Sequence, residues 1–311
     1  MVKEVDENRR TPEELATQFY LEPEMREVIV EGRSDASLLR WYFSQTFPDT
    51  DVRFYAVQDR VLIDDDTVTS FGHLAGNNRG RVIATAQIVE ASQAEQTGGA
   101  FLADRDSASI GLDSCPTVNG LYYTDFTSIE LYFFNEKSIR KMLTVTLRAP
   151  VQCKAADVLS AITPALITLF KVRAILKQIP PPTPKLAAKV VSDMKIYPDG
   201  STNLDAREAI QKSKGGNVDT LVAQYESIRI PEDSDCRNYV NGHDFSALVV
   251  RFLQTNYPQV FREERRALAS AATLELAILT SAEIVDLADV RLFQQLGDFL
   301  SGKTSDHEIS T

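Results

Sequence analysis

The chain has 311 residues, with 33 Lys and Arg against 44 Asp and Glu and a formal net charge of −11. A composition of 43% hydrophobic and 25% charged residues excludes wholesale disorder, and the length suits two domains at roughly 100–200 residues each. Three cysteines (Cys115, Cys153, Cys236) and three histidines (His73, His243, His307) exclude a disulfide framework, a zinc cage and a multi-histidine centre. A metal site is therefore expected to be built of carboxylates. The acidic total also argues against coating nucleic acid through bulk charge, so any such contact must come from local basic groups.

Thr11-Pro12-Glu13-Glu14 has the form of a helix start, with Thr as N-cap and Pro in the first turn. The β-branched run 27–30 predicts a first strand that stops at Glu31-Gly32. Ser34 is the expected cap of the next helix, where Leu38, Leu39, Trp41, Tyr42 and Phe43 recur with helical period. Residues 52–57 predict a second strand, and the loop 76–80 leads into a helix from Arg81 to about Gln93. Residues 99–103 predict a third strand running into Asp104, and 121–123 a fourth, followed by a helix over 128–143. Strands alternating with helices of this length predict an α/β fold, a mostly parallel sheet flanked by helices. Sites in such sheets gather at the carboxyl ends of the strands.

The second half changes character. Residues 155–178 predict a long helix with an apolar side, and Pro180-Pro181-Pro182-Thr183-Pro184 is a stiff connector that cannot continue it. A short hairpin is expected over 196–203 around Pro198-Asp199-Gly200. From Val218 onward the pattern is helical, clearest over 245–253 and 265–300, and the polar tail 303–311 is expected to fray. The expected organisation is an N-terminal helical segment (1–24), an α/β catalytic domain (25–148) and a mainly helical C-terminal domain (149–311). The longest apolar stretch, 158–170, contains Pro164 and is shorter than the ~20 residues of a spanning helix. The first ten residues lack the apolar core of a signal peptide, so a cytoplasmic protein with no membrane contact is expected.

Three acidic groups fall at or just after predicted strand ends: Glu31 with Asp35, Asp104 with Asp106, and Asp125 with Glu130. Glu31 follows a buried apolar strand, where a carboxylate is costly unless something binds it. Asp35, in the first turn of a helix, points back toward that strand end, although a simple first-turn acid would stand there too. Asp104 and Asp106 lie on one side if the backbone stays extended, with a polar turn as the alternative. Thr127-Ser128-Ile129-Glu130 matches a capping box, or else Glu130 extends an acidic cleft with Ser128 orienting it. Acids meeting in that number would repel and raise one another's pKa values, and a hard divalent cation, Mg²⁺ or Mn²⁺, would relieve them. Such an ion can activate a water and stabilise the leaving oxygen of a phosphodiester.

The string Val28-Ile29-Val30-Glu31-Gly32-Arg33-Ser34-Asp35 resembles the first motif of the Toprim domain, and Phe101-Leu102-Ala103-Asp104-Arg105-Asp106 resembles its Asp-x-Asp motif. Toprim primases and topoisomerases continue that motif with a glycine and a further acid. Here Ser107-Ala108-Ser109 follows, which sets the chain apart from both. With Ser128-Ile129-Glu130, the pattern is similar to Toprim nucleases of the OLD (overcoming lysogenisation defect) type. It is most similar to stand-alone Toprim proteins encoded beside an ABC-type ATPase, the PARIS anti-phage effector type. The resemblance covers about residues 26–145, with a looser match at Asn241-Gly242-His243-Asp244. It implies Glu31, Asp104 and Asp106 as catalytic and metal positions around Mg²⁺, with Asp35 and Glu130 as further ligands. It also implies a toxic endonuclease held by its ATPase partner and released on infection to cut host nucleic acid, with tRNA ranked above DNA.

Among the basic candidates for substrate contact are Arg79 and Arg81, before or within the third helix, Lys212 and Lys214 in a flexible loop, and His243. Each has a plainer explanation in a capped loop, a solvated face or, for His243, a structural role. Arg173 and Lys177, helical i,i+4 neighbours, could touch a substrate backbone, with a solvated face as the commoner explanation, and Asp64-Asp65-Asp66 has the look of another ligand cluster but fits a solvated turn. The apolar stripes over 155–179 and 274–300 are core, or alternatively the interface of a homodimer formed by the free chain. Two other functions fit the same residues: a housekeeping Toprim nuclease of RNA maturation or repair, and a non-catalytic subunit that docks on the ATPase.

Overall fold

The computed structural model describes residues 8–48, 50–92, 98–180, 183–213 and 217–302. Lys214, Pro181, Pro182, His307 and the tail 303–311 lie outside the described residues. The elements run α1 (Pro12–Leu21), β1 (Arg26–Val30), α2 (Arg33–Thr46), β2 (Val52–Ala56), α3 (Val57–Arg60), α4 (Asp65–Ser70), α5 (Asn78–Ser92), β3 (Gly99–Ala103) and β4 (Leu121–Tyr123). They continue as α6 (Glu136–Lys141), α7 (Ala155–Lys177), α8 (Ala188–Ser192), α9 (Ala206–Lys212), α10 (Val218–Ser227), α11 (Gly242–Asn256), α12 (Ala271–Leu279), α13 (Ile284–Leu287) and α14 (Arg291–Leu300).

The four strands form one all-parallel sheet in the order β2-β1-β3-β4, flanked by helices, so the chain is α/β with a helical remainder. Val28, Ile29 and Val30 of β1 and every residue of β3 are buried, as both-face coverage of a parallel sheet requires. β1 pairs with β3 so that Val30 stands opposite Leu102, which brings the residues just past both strands to the same sheet end. Leu15, Phe19, Ile29, Ile83, Val89 and Phe101 belong to one buried cluster joining α1, the sheet and α5. Gly99 is fixed by that packing: a Cβ there would meet Phe19 ring carbons at 2.6 Å or less.

By its contacts the chain forms two compact units. One comprises Met1–Asp104, Cys115–Asp125 and Ile284–Thr311; the other comprises Arg105–Ser114 and Phe126–Glu283. This division departs from boundaries at 24/25 and 148/149. In the first unit α14 packs Phe293 edge-on against Tyr42 of α2, with centroids 4.7 Å apart. In the second, α7 is the central helix, with Val158, Ile162, Leu166, Leu169 and Val172 fully buried.

Several element boundaries move. The N-cap of α2 is Gly32, not Ser34. Val57 opens α3 instead of ending β2. The continuous helix expected over 128–143 is broken into a 3-10 turn Ile129–Phe133, then α6, then a π turn Met142–Thr146. Asn135 restarts the helix by accepting from the Ser138 N–H, and all five residues of the 3-10 turn are buried, so no amphipathic period governs them. Ser270 and the stretches after α12 and α13 likewise divide 265–300 into separate helices. The hairpin over 196–203 is a single bridge between Ile196 and Thr202, with Gly200 at φ +81°. α7 has 23 residues and is long and apolar enough to cross a membrane by length and composition alone, Pro164 included, but more than half of its apolar window is buried within the fold, as the core helix of a domain is.

Candidate functional site

The first unit brings Glu31 and Asp104 together at the carboxyl ends of β1 and β3. The Asp104 N–H donates to Glu31 Oε1 at 2.7 Å, so the Glu31 carboxylate is held by the backbone of the neighbouring strand end. Asp35, in the first turn of α2, accepts the Gly32 N–H at 2.9 Å and turns back toward the end of β1 as its position implies. The start of α5 braces the same two strand ends. Asn78 donates to the Glu31 carbonyl at 3.0 Å, and Arg79 Nε donates to the Asp104 carbonyl at 2.7 Å. Arg79 is 5% exposed, so its guanidinium positions Asp104 from within the fold and does not reach outward as a substrate contact would. Glu31, Asp35 and Asp104 are each half-buried. Carboxylate oxygens are the donors that Mg²⁺ or Mn²⁺ takes.

The chain leaves this unit after Asp104. Asp106 does not continue an extended strand: its φ is +49°, in the left-handed region, so the alternation that would align it with Asp104 does not hold. Within the second unit its N–H donates to the Thr127 carbonyl at 2.9 Å, and Lys177 Nζ lies 3.4 Å from its Oδ2. Lys177 also binds Asp113 at 2.8 and 3.0 Å, and Arg173 holds the buried Asp244 through two bonds of 2.7 Å. Arg173 and Lys177 are thus tied to acids of their own unit, which a merely solvated face would not do. They line a cleft of about 420 Å³ with Asp106, Thr127, Lys185 and Asn241.

Glu130 is buried, at 7% exposure, and does not form the capping box that its spacing allowed. Ser128 is extended and caps nothing, while Thr127 Oγ1 donates to the Val240 carbonyl. The partners Glu130 finds in its unit are His243 and Glu275. Among the described residues these three bring one ligand atom each within 4.8 Å of one another, so the group could hold a metal ion. Burial and the Glu130 charge push the Glu275 carboxyl above its ordinary pKa, with His243 opposing. The group includes an imidazole, where a site of carboxylates alone was expected.

The remaining candidates are placed as follows. Arg81 is paired with Asp65 at 2.9 Å, and Lys212 with Glu208 at 2.7 Å on an exposed helix face. His243 is exposed and not a packed structural histidine. Asp125, grouped with Glu130 by sequence, accepts the Leu292 N–H at the start of α14. Asp64 caps α4, and Asp65 accepts the Gly76 N–H, so the Asp64-Asp65-Asp66 run is a helix start and not a loose turn. Sequence reasoning did not find Glu275. Its one signal is an acid inside the otherwise apolar helix Ala-Ala-Thr-Leu-Glu-Leu-Ala-Ile-Leu.

No protein-family model matches the chain, and no curated protein matches it either.

Proposed function

We propose that this protein is a Mg²⁺-dependent endonuclease of the Toprim kind, with Glu31 and Asp104 at its centre and Asp35 as a supporting ligand. The observation that carries the proposal is the 2.7 Å bond from the Asp104 N–H to the Glu31 carboxylate across adjacent parallel strand ends. Residues 73 positions apart, each singled out by its motif, meet where α/β sheets place their sites. A bound Mg²⁺ or Mn²⁺ would polarise the scissile phosphate and lower the pKa of a water. Glu31 would take the proton of the attacking water as general base. Asp104 and Asp35 would supply oxygen ligands, and Asn78 and Arg79 would keep both strand ends in place. Asp106 and Glu130 enter this assignment through the motif resemblance alone.

The same resemblance supports the biological setting we propose: a toxic effector restrained by an ABC-type ATPase, released to cut host RNA, with tRNA ahead of DNA, and homodimeric when free. Expression of the chain alone tests it, with cellular RNA and DNA profiled for breaks against a Glu31→Ala control. Metal-dependent cuts that vanish in the control are expected. Intact nucleic acid in both, with folded protein, overturns the nuclease assignment and favours the docking subunit. Cuts that co-expression of a neighbouring ATPase does not restrain favour the housekeeping alternative.

A further inference from the structure

Glu130 presents an unusual situation for a buried acid. Its Oε2 is buried with no hydrogen-bond partner, and so is Ser128 Oγ beside it. A polar oxygen withdrawn from water and left without a hydrogen bond is disfavoured, so such a group points to a ligand that completes it. The space is made by Gly242: a Cβ there would stand 2.6 Å from Glu130 Oε2 and closer still to Ser128 Oγ. The start of α11 does not supply the missing donor. The His243 N–H is taken by Asn241 Oδ1 at 3.1 Å, and the Asp244 and Phe245 N–H groups go to the Asn241 carbonyl.

What does face Glu130 is a ligand set. His243 Nδ1 lies 4.0 Å from Glu130 Oε1, and Glu275 completes the triangle within 4.8 Å. Glu275 and Glu130 place two carboxylates side by side, which a cation would hold together. The His243 side chain is 79% exposed, so an ion can enter from solvent and the imidazole can swing inward to close the distances. One nitrogen and two carboxylate oxygens suit a borderline transition ion, whereas Mg²⁺ prefers oxygen and keeps its waters.

We infer that the second unit carries a transition-metal site formed by Glu130, His243 and Glu275, which takes Zn²⁺ in preference to Mg²⁺. Three protein ligands leave a coordination position open to water or an anionic group. The site shares Glu130 with the set that the motif resemblance implies, but neither Glu31 nor Asp104 belongs to it, and zinc uptake and nucleic-acid cleavage are read by different experiments.

The full chain carrying Glu31→Ala, which disables the proposed magnesium centre, is titrated with Zn²⁺ by calorimetry and by competition with a chromophoric chelator. One equivalent is expected to bind with excess Mg²⁺ present. His243→Ala, a change at an exposed side chain, and Glu275→Gln should each weaken binding at least about tenfold, since even outer-sphere partners of metal ligands are worth that much. Co²⁺ bound in place of Zn²⁺ should show visible ligand-field bands without a thiolate charge-transfer band. Absence of Zn²⁺ uptake, uptake unchanged by both substitutions, or a thiolate band assigning the metal to the cysteines would each overturn the inference.

Discussion

The Asp104 N–H is bonded to the Glu31 carboxylate at 2.7 Å, so an acid assigned to chemistry also serves the architecture by satisfying an orphaned amide at the end of β3. The two duties can be separated. A glutamine keeps a carbonyl oxygen for that amide, and an alanine does not.

Glu31→Gln should therefore fold with nearly wild-type stability, and Glu31→Ala should lose about 1–2 kcal/mol, the usual cost of leaving a half-buried donor unpaired. Both should abolish metal-dependent cleavage, because neither retains an anionic ligand and base. Urea unfolding alongside a cleavage assay separates the two effects. Equal stability of the two variants would show that the amide does not depend on Glu31.

Arg60 and Glu27 form the most enclosed ion pair of the sheet unit, with Arg60 Nε 2.6 Å from Glu27 Oε1 and both side chains under 10% exposed. Arg60 also donates to Gln18 Oε1 at 2.8 Å and to the Asn8 carbonyl, tying the chain ahead of β1 to α3. Glu27→Ala would leave a buried guanidinium without its counter-charge, and about 3–5 kcal/mol of destabilisation is expected. The double replacement Glu27→Leu with Arg60→Met should recover much of that loss, because it removes both desolvated charges. Chemical denaturation of the two variants checks the sign of the difference.

Local pattern made the sheet and the long helix α7 legible and left the breaks between the other helices obscure. β3 and β4 were readable to the residue, because short apolar runs bounded by glycine and acid have few alternatives. Glu31 and Asp104 fall at adjacent strand ends because both follow such runs. By contrast, Asp106 takes a left-handed φ that its residue type permits but does not announce. The 3-10 turn at 129–133 is buried on every side and so carries no period. Glu275 meets Glu130 across a separation of well over a hundred residues, which no local spacing encodes. Arg79 looked like a phosphate contact because it precedes a helix; its role as a brace on Asp104 depends on where α5 docks.

Two glycines are predicted to be intolerant for steric reasons, with different consequences. Gly99→Ala would drive a methyl into the Phe19 ring between α1 and β3, and about 1–3 kcal/mol of destabilisation should follow from overpacking. Gly242→Ala would push against Ser128 and Glu130 instead, displacing the carboxylate that anchors the proposed zinc site. Its loss of Zn²⁺ affinity should therefore exceed that of Gly99→Ala at matched stability, as thermal melts and zinc titration of both variants would show.

Cysteine chemistry supplies a prediction that depends on no functional assignment. Cys153 is buried, and burial with the nearby Asp157 charge pushes its thiol up to about 11. Cys115 is exposed, with Arg79 Nη2 3.5 Å from its sulfur. At pH 8 only about one Cys153 in a thousand would be ionised, so a thiolate-selective reagent should label Cys115 first and Cys153 only on unfolding. Cys236, half-buried with its thiol also pushed up by burial, should fall between them. The sign for stability follows from the same shift. The folded chain holds the Cys153 proton that an unfolded chain releases from about pH 9, so this group's contribution is complete below that pH and is lost as pH rises toward 11. Cys153→Ala should flatten the alkaline limb of the stability profile between those values. Mass-resolved alkylation and denaturation across pH 8–11 would read both effects, and early labelling of Cys153 would contradict its burial.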